Sequence, residues 1–400
     1  MKKIAMVVQR FGKEIVGGSE SLAMQYAQRL VKYYDIDVIT TTCLEYTTWD
    51  NHYPEGSSTY DGINIIRFKT TVPRGERPVF DSYFGKQIEL INSKEPTEHK
   101  FDKIVIDLQG PVCPGLLDYI SEHRNDYDAF LFITYQYFHY VYGLPLVAHK
   151  SVVVPTAHDD PMIKQSIFRN LFCIPRFICY LTDEERAFVQ GLFNNHFIDN
   201  DIIGTGIEVP STVNPDEFKR SYNIQGRYIA YLGRLDEAKG VGELISHFLA
   251  YKSLYPSEIQ LVLVGSGPMI IPKSKDIISV GFVDEQTKYD SISGAELIVS
   301  SSRFESLCIA LLEGMALGVP ALVNGDCEVL KGHMQKSNAG FFYSNQGEFI
   351  DALNKMLNSN DDNSVLRKNA INYVSENYTW DQVTKRLCAA IEYTIGVSSL

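Results

Sequence analysis

No apolar run in the chain approaches the ~18–20 residues that a membrane-spanning helix needs. Cysteine is scarce, seven in 400 residues, and no two are spaced C-x-x-C. That argues against a disulfide framework or a zinc site and fits a reducing cytosol. Positive charge is also short: Lys+Arg 37 against Asp+Glu 49 gives a net charge of -12. Nucleic-acid backbones demand clustered cations, so a dedicated nucleic-acid binder is not expected. A small basic pocket for one phosphorylated ligand is compatible with this balance, and so is a local patch for peripheral membrane contact. Solenoid-length repeats, low-complexity tracts and the G-x-G-x-x-G dinucleotide fingerprint are missing. The opening MKKIAMVVQRFG has too few apolar residues before Gln9 for the core of a secretory leader. It reads as a buried strand.

What is present is a globular composition, 45% hydrophobic and 22% charged over 400 residues. That length predicts two or three domains. Short apolar runs alternate with amphipathic stretches: Ile4–Val8 then a helix over 19–34, followed by Ile36–Ile39, Phe130–Ile133, Val152–Val154 and Phe177–Leu181. Thr182 and Glu185 open a helix as a capping box. The pattern breaks over 207–226, a polar stretch with Pro210 and Pro215 that reads as an interdomain linker. It resumes with strands Tyr228–Leu232, Ile259–Val264, Leu297–Ser300 and Val319–Val323, and with helices over 241–251, 307–317, 346–358, 362–376 and 381–394. Such alternation predicts an α/β chain of two doubly wound parallel sheets with a cleft between them, ligands lying at the carboxyl ends of the strands. The expected domains are 1–206 and 227–379, with a C-terminal helix over about 380–400 returning to the first.

Glycine or charge follows a strand in several places. Gly17-Gly18-Ser19-Glu20 opens the first helix, where free N–H groups favour anions. An ordinary strand-to-helix turn explains the same residues. Arg234 and Lys239 lie within Gly233–Gly240, between a strand end and a helix start; two cations there suit a diphosphate. Two solvated surface charges are the plain alternative. Gly265-Ser266-Gly267 ends an apolar strand in a tight turn. After Leu297–Ser300 comes Glu305, with Ser306 and Leu307 read as the first residues of the next helix. Glu313 would then stand two turns further along, among apolar neighbours. A carboxylate there needs a partner unless it lies on an exposed stripe. His158 lies just past Val152–Val154, where a histidine can donate to an oxygen; a satisfied loop histidine is the alternative.

Together these segments resemble the family-four glycosyltransferases, retaining enzymes of the GT-B fold with two Rossmann-like domains. The resemblance rests on G-R-x(4)-K-G at 233–240, VGSGP at 264–268, and E-x(7)-E at Glu305 and Glu313 running into EGMALGVPALV, all in the family's order. The GGSE and PTAHDDP segments are similar to the family's N-terminal loops. QGPVCPGLL and NGDCEVLKGHMQKSNAGFFY look like a bacterial subgroup of surface-polysaccharide (lipopolysaccharide or O-antigen) assembly.

The resemblance implies a UDP- or GDP-linked sugar donor, a glycan or lipid-linked glycan acceptor, no cofactor and no metal site. Arg234 and Lys239 would hold the diphosphate, with Gly17, Gly18 and the N–H groups of Ser306 and Leu307. Glu313 and Gly265 would face the nucleoside. Glu305 would bind hydroxyls of the transferred sugar, and His158 would stand near the anomeric centre. Asp159 and Gln109 would fall on the acceptor side. Two departures stand out: Ser306-Leu307-Cys308 replaces the usual aromatic-glycine pair, and Gly314 replaces a common alanine. An epimerase or phosphorylase of the same fold, and a degenerate binding subunit, are the rival readings. The implied location is the cytoplasm, with room for peripheral contact with the inner membrane.

Overall fold

The computed structural model describes residues 1–15, 17–358 and 360–398. It divides into two compact units: Met1–Gly204 together with the C-terminal segment from Val383, and Thr205–Gln382.

The first unit is built on an eight-stranded sheet. Its strands are β1 (Lys3–Val7), β2 (Asp35–Thr41), β3 (Gly56–Tyr60), β4 (Ile63–Phe68), β5 (Ala129–Ile133), β6 (Ser151–Val154), β7 (Phe177–Tyr180) and β8 (Asp199–Ile202). Their order is β3-β4-β2-β1-β5-β6-β7-β8. Every pairing is parallel except β3 with β4. β5 (AFLFI) and β6 (SVVV) are buried at every position, as strands covered on both faces must be. Each fully buried Val, Leu, Ile or Phe contributes about 1.5–3 kcal/mol, so these runs dominate the folding of the sheet. The exposed GSSTY of β3 forms the antiparallel edge. The C-terminal segment belongs to this unit: Tyr34 donates to Glu392 at 3.0 Å, and Arg386 donates to the Ile202 carbonyl at 3.1 Å.

The second unit holds six parallel strands: β9 (Tyr228–Leu232), β10 (Gln260–Val264), β11 (Ile277–Gly281), β12 (Ile298–Ser300), β13 (Ala321–Asn324) and β14 (Gly340–Tyr343). Their order is β11-β10-β9-β12-β13-β14. The stretch 207–226, expected as a linker, contains the helix Pro215–Ser221 instead. The Asn214 side chain caps it, accepting from the Glu217 N–H at 3.2 Å, and Phe218 is buried. One buried aromatic ring therefore draws the expected linker into the second unit. Among the described residues no helix is long and apolar enough to cross a membrane.

Candidate functional site

The strand order of the second sheet reverses between β9 and β12. In doubly wound sheets, ligands bind outside the carboxyl ends of the strands at such a switch point. The loops leaving these two strands, 233–240 and 301–308, are fastened to each other. The Lys239 ammonium lies 2.6 Å from Glu305 Oε1. The Ser301 hydroxyl donates to the Lys239 carbonyl at 2.9 Å, and Asn324 Nδ2 donates to the Ser301 carbonyl at 3.2 Å. Gly240 has φ 70°, and a Cβ there would overlap the Ser301 carbonyl oxygen, so only glycine lets the loops meet. Asp236 organises the cations. Its carboxylate pairs with Arg234 and also caps the short turn 237–239, accepting from the Lys239 N–H at 2.9 Å. Burial opposes the charge on Lys239, but the Glu305 carboxylate outweighs it and raises the pKa above 10.5. The ammonium therefore persists at neutral pH.

Gly265 packs backbone to backbone against this loop. With φ 141°, a Cβ there would overlap the Gly233 carbonyl oxygen. The Gly233 N–H donates to the Val264 carbonyl at 3.0 Å, and the Leu235 N–H to that of Ser266 at 3.0 Å. The G-x-G turn thus shapes the cation loop.

The helix after β12 begins at Ile309, two residues later than expected. Ser306 and Leu307 are loop residues, and Glu305 and Glu313 do not share a helix; their separation cannot be counted in helical turns. Buried His333 fixes this loop. Its Nε2 bonds the Leu307 carbonyl at 2.8 Å and its Nδ1 meets Tyr373 OH at 3.0 Å. Burial lowers the His333 pKa to about 4, so the ring is neutral. Since a carbonyl only accepts, Nε2 carries the proton.

The helix start requires Cys308 at φ 65°, the left-handed region that favours glycine. That conformation costs a side-chain residue about 1–2 kcal/mol, and glycine's extra unfolded-state entropy costs about 0.5–1 kcal/mol. Cys308→Gly is therefore expected to stabilise the protein by about 0.5–1 kcal/mol. Urea unfolding with an unchanged m-value checks this; a lower midpoint would mean that the thiol contributes more than the strain removes.

Glu313 is buried, not on an exposed stripe. Lys288 pairs with its Oε1 at 2.7 Å, and Tyr289 OH donates to the same oxygen at 3.1 Å.

In the first unit, His158 follows β6 and its Nδ1 lies 3.1 Å from Asp160 Oδ2. Asp160 is held in turn by the Tyr135 hydroxyl at 3.3 Å and the Ile163 N–H at 3.2 Å. Asp160, not Asp159, is thus the partner of His158, while Asp159 pairs with Lys164 at 2.6 Å near the surface. Beneath, Glu185 accepts from the N–H of Ala157 and of Leu181 at 2.5 Å each, tying the ends of β6 and β7 together. Thr182 caps the helix as expected, accepting from the Glu185 N–H at 3.1 Å. Gly17 precedes the helix Gly18–Leu30 and Gly18 opens it. A Cβ on Gly17 would press on the Glu20 carboxylate, whereas Gly18 faces open space. Glu20 is itself buried and accepts from Arg10 Nε at 3.0 Å and Nη2 at 2.6 Å. Gln109 accepts from Arg74 Nη2 at 2.7 Å.

The structure therefore brings Arg234, Lys239 and Glu305 into one pair of loops, with Gly265 packed against the first of them. Asp236, Lys288, Tyr289, His333 and Asp160 escaped sequence reasoning. Only Asp236 left a signal there, an aspartate three residues before Lys239 at a turn start. Among the described residues, no group of three or more His, Cys, Asp or Glu could hold a metal ion.

Residues 214–373 match the family described as glycosyl transferases group 1. An uncharacterized glycosyltransferase of Methanocaldococcus jannaschii is 28% identical over 183 residues, 42% of this chain and 46% of that protein. The chain spans about half the length of the curated relatives it matches. Sucrose-phosphate synthase from Thermosynechococcus elongatus superposes with TM-score 0.73 at 14% identity, covering 99% of this chain and 100% of that one. The Anabaena HepE protein, solved with UDP and glucose, gives TM-score 0.69 at 13% identity, with 100% of both chains covered. Residues 214–373 are thus similar to group 1 glycosyl transferases, in a chain with the two-domain α/β GT-B fold.

Proposed function

We propose that the protein is a retaining, metal-independent glycosyltransferase that moves a sugar from a UDP- or GDP-linked donor to a glycan or lipid-linked glycan. One observation carries this reading: at the switch point of the second sheet, Lys239 and Glu305 meet from two loops, beside Arg234, in a segment that matches group 1 glycosyl transferases. The solved relative that holds UDP and glucose supports a nucleotide-sugar donor.

Breaking a glycosyl–phosphate bond develops negative charge on the leaving diphosphate. Arg234 and Lys239 stabilise that charge, and Asp236 holds the Arg234 guanidinium and the Lys239 backbone beforehand. Glu305 takes hydroxyls of the transferred sugar and Glu313 those of the ribose. Loop N–H groups of Ser306 and Leu307 assist at the diphosphate, and Gly265 lies toward the nucleoside. His158, backed by Asp160, hydrogen-bonds the sugar near the anomeric carbon, with Gly17 and Gly18 against the donor and Asp159 toward the acceptor. No enzymic nucleophile is assigned; the departing diphosphate accepts the proton of the incoming hydroxyl, which attacks from the same face. The motifs after residue 109 and around residue 330 favour surface-polysaccharide synthesis in a bacterium, in the cytoplasm or at the inner face of its membrane.

Thermal unfolding with UDP and GDP tests the reading. One of them, at 100 times its dissociation constant, should stabilise the protein by about 2.7 kcal/mol, and the corresponding nucleotide sugar should be turned over in excess chelator. If no nucleoside diphosphate shifts the transition, the donor assignment is lost. Magnesium-reversible loss of turnover in chelator would remove the metal-independent part.

A further inference from the structure

The carboxyl edge of the first sheet carries a second arginine constellation. The loop after β1 supplies Arg10, the loop after β2 supplies Tyr46 and Trp49, and the loop after β4 supplies Arg74. The Arg10 guanidinium lies 5.5 Å from the centre of the Tyr46 ring and 6.0 Å from that of Trp49. Arg74 lies 5.8 and 5.9 Å from the same two rings. The two cations differ in one respect. Arg10 is neutralised by the buried Glu20 carboxylate. Among the described residues Arg74 donates only to neutral oxygens, Nη1 to the Tyr46 carbonyl at 2.6 Å and Nη2 to Gln109 Oε1 at 2.7 Å. Among the described residues no carboxylate pairs with it, and the charged group that bears on it is another cation, Arg77.

Burial disfavours the Arg74 charge, which fits a guanidinium partly withdrawn from water without a counterion. Gln109 and the Tyr46 carbonyl fix the plane of the fork, and its remaining N–H donors are available to an oxyanion. Tyr46 and Tyr137, both partly exposed, add amphipathic rings on which a sugar can rest. Tyr137 packs edge-on against Trp49 at 5.7 Å. The strand order of this sheet reverses between β1 and β5, so these loops surround its own switch point.

We propose that Arg74, framed by Tyr46 and Trp49 and aimed by Gln109, is a subsite for an oxyanion, phosphate or carboxylate, carried by the sugar acceptor. The assignment rests on the glycosyltransferase reading, in which the donor diphosphate belongs to Arg234 and Lys239, and it deepens that reading by making the acceptor an anionic sugar.

The test is calorimetric titration of the full chain, saturated with whichever of UDP and GDP binds, with a hexose phosphate, a hexuronate and the neutral hexose. At least one anionic sugar should bind tenfold or more tightly than the neutral one. The two anionic arms distinguish phosphate from carboxylate. Arg74→Met should abolish the preference, and Arg74→Lys should restore part of it, because an ammonium keeps the charge but loses the fork. Gln109→Leu, which leaves the guanidinium but not its aim, should reduce the preference severalfold and serves if Arg74→Met does not fold. Equal binding of charged and neutral sugars by the unaltered protein would overturn the inference, as would a preference that survives Arg74→Met. Loss of nucleoside diphosphate affinity in Arg74→Met, with the sugar preference unchanged, would move Arg74 to the donor and overturn it too. A chain that binds neither UDP nor GDP fails the glycosyltransferase reading; the titrations without nucleotide then still decide the anion preference.

Discussion

Lys239→Ala is expected to cut turnover of the nucleotide sugar by ~10²–10³-fold, the usual cost of removing one preorganised donor from a site of developing negative charge. Arg234→Ala should cost less, about tenfold, because its half-exposed guanidinium is screened by water and already shared with Asp236. The larger loss at Lys239 has a second source. Its partner Glu305 has a side chain only 16% exposed. Without the ammonium, that carboxylate stands unpaired at the proposed diphosphate position, and the two would repel. Lys239→Ala/Glu305→Gln should therefore regain nucleoside diphosphate affinity relative to the single variant, with a coupling of roughly 1–3 kcal/mol, while turnover stays low. Calorimetry on the three variants checks this. Wild-type diphosphate affinity in Lys239→Ala would remove the diphosphate from this loop.

The legible parts of the chain were those fixed by local chemistry. Tyr228–Leu232 and Val152–Val154 are apolar enough to be strands in almost any context, and the structure has them there. The glycines at 233, 240 and 265 mark turns in the sequence, but which loop packs on which is a tertiary fact. The partners of Glu313 were hidden for the same reason. Lys288 and Tyr289 lie on the helix Glu285–Ser293, whose polar sequence gives no strong period. Their role comes from where that helix packs. Asp160 and Asp159 are adjacent in PTAHDDP, and only the turn geometry decides which carboxylate reaches His158. The helices Arg77–Asn92 and His99–Gln109 passed unread, and with them the placing of Arg74 beside Gln109. Cys308 is the sharpest local conflict: a residue with a side chain occupies a position that favours glycine.

The two glutamates of E-x(7)-E are expected to respond in opposite directions. Glu313 is buried, and its Oε1 already accepts from Lys288 and Tyr289. Those two contacts leave lone pairs on the carboxylate for ribose hydroxyls. Glu313→Gln keeps an oxygen for Tyr289 but loses the charge. A hydrogen bond to a charged group contributes roughly 1.5–3 kcal/mol, so affinity should fall at least tenfold for the nucleotide sugar and for the free nucleoside diphosphate alike. Glu305 differs because its present partner is Lys239, the cation proposed to hold the diphosphate, 2.6 Å away. Glu305→Gln releases Lys239 from a competing anion, so free diphosphate affinity should hold or rise. Turnover should still drop by tenfold or more, since the hydroxyls of the transferred sugar lose their carboxylate. The helix starts only at Ile309, so the two residues stand on separately built segments and one substitution need not disturb the other. Calorimetry with the nucleotide sugar and the free diphosphate, paired with kcat and KM, separates them. A parallel loss of diphosphate affinity in both variants would mean that Glu305 and Glu313 contact the same part of the donor, and the division of labour between them would have to be abandoned.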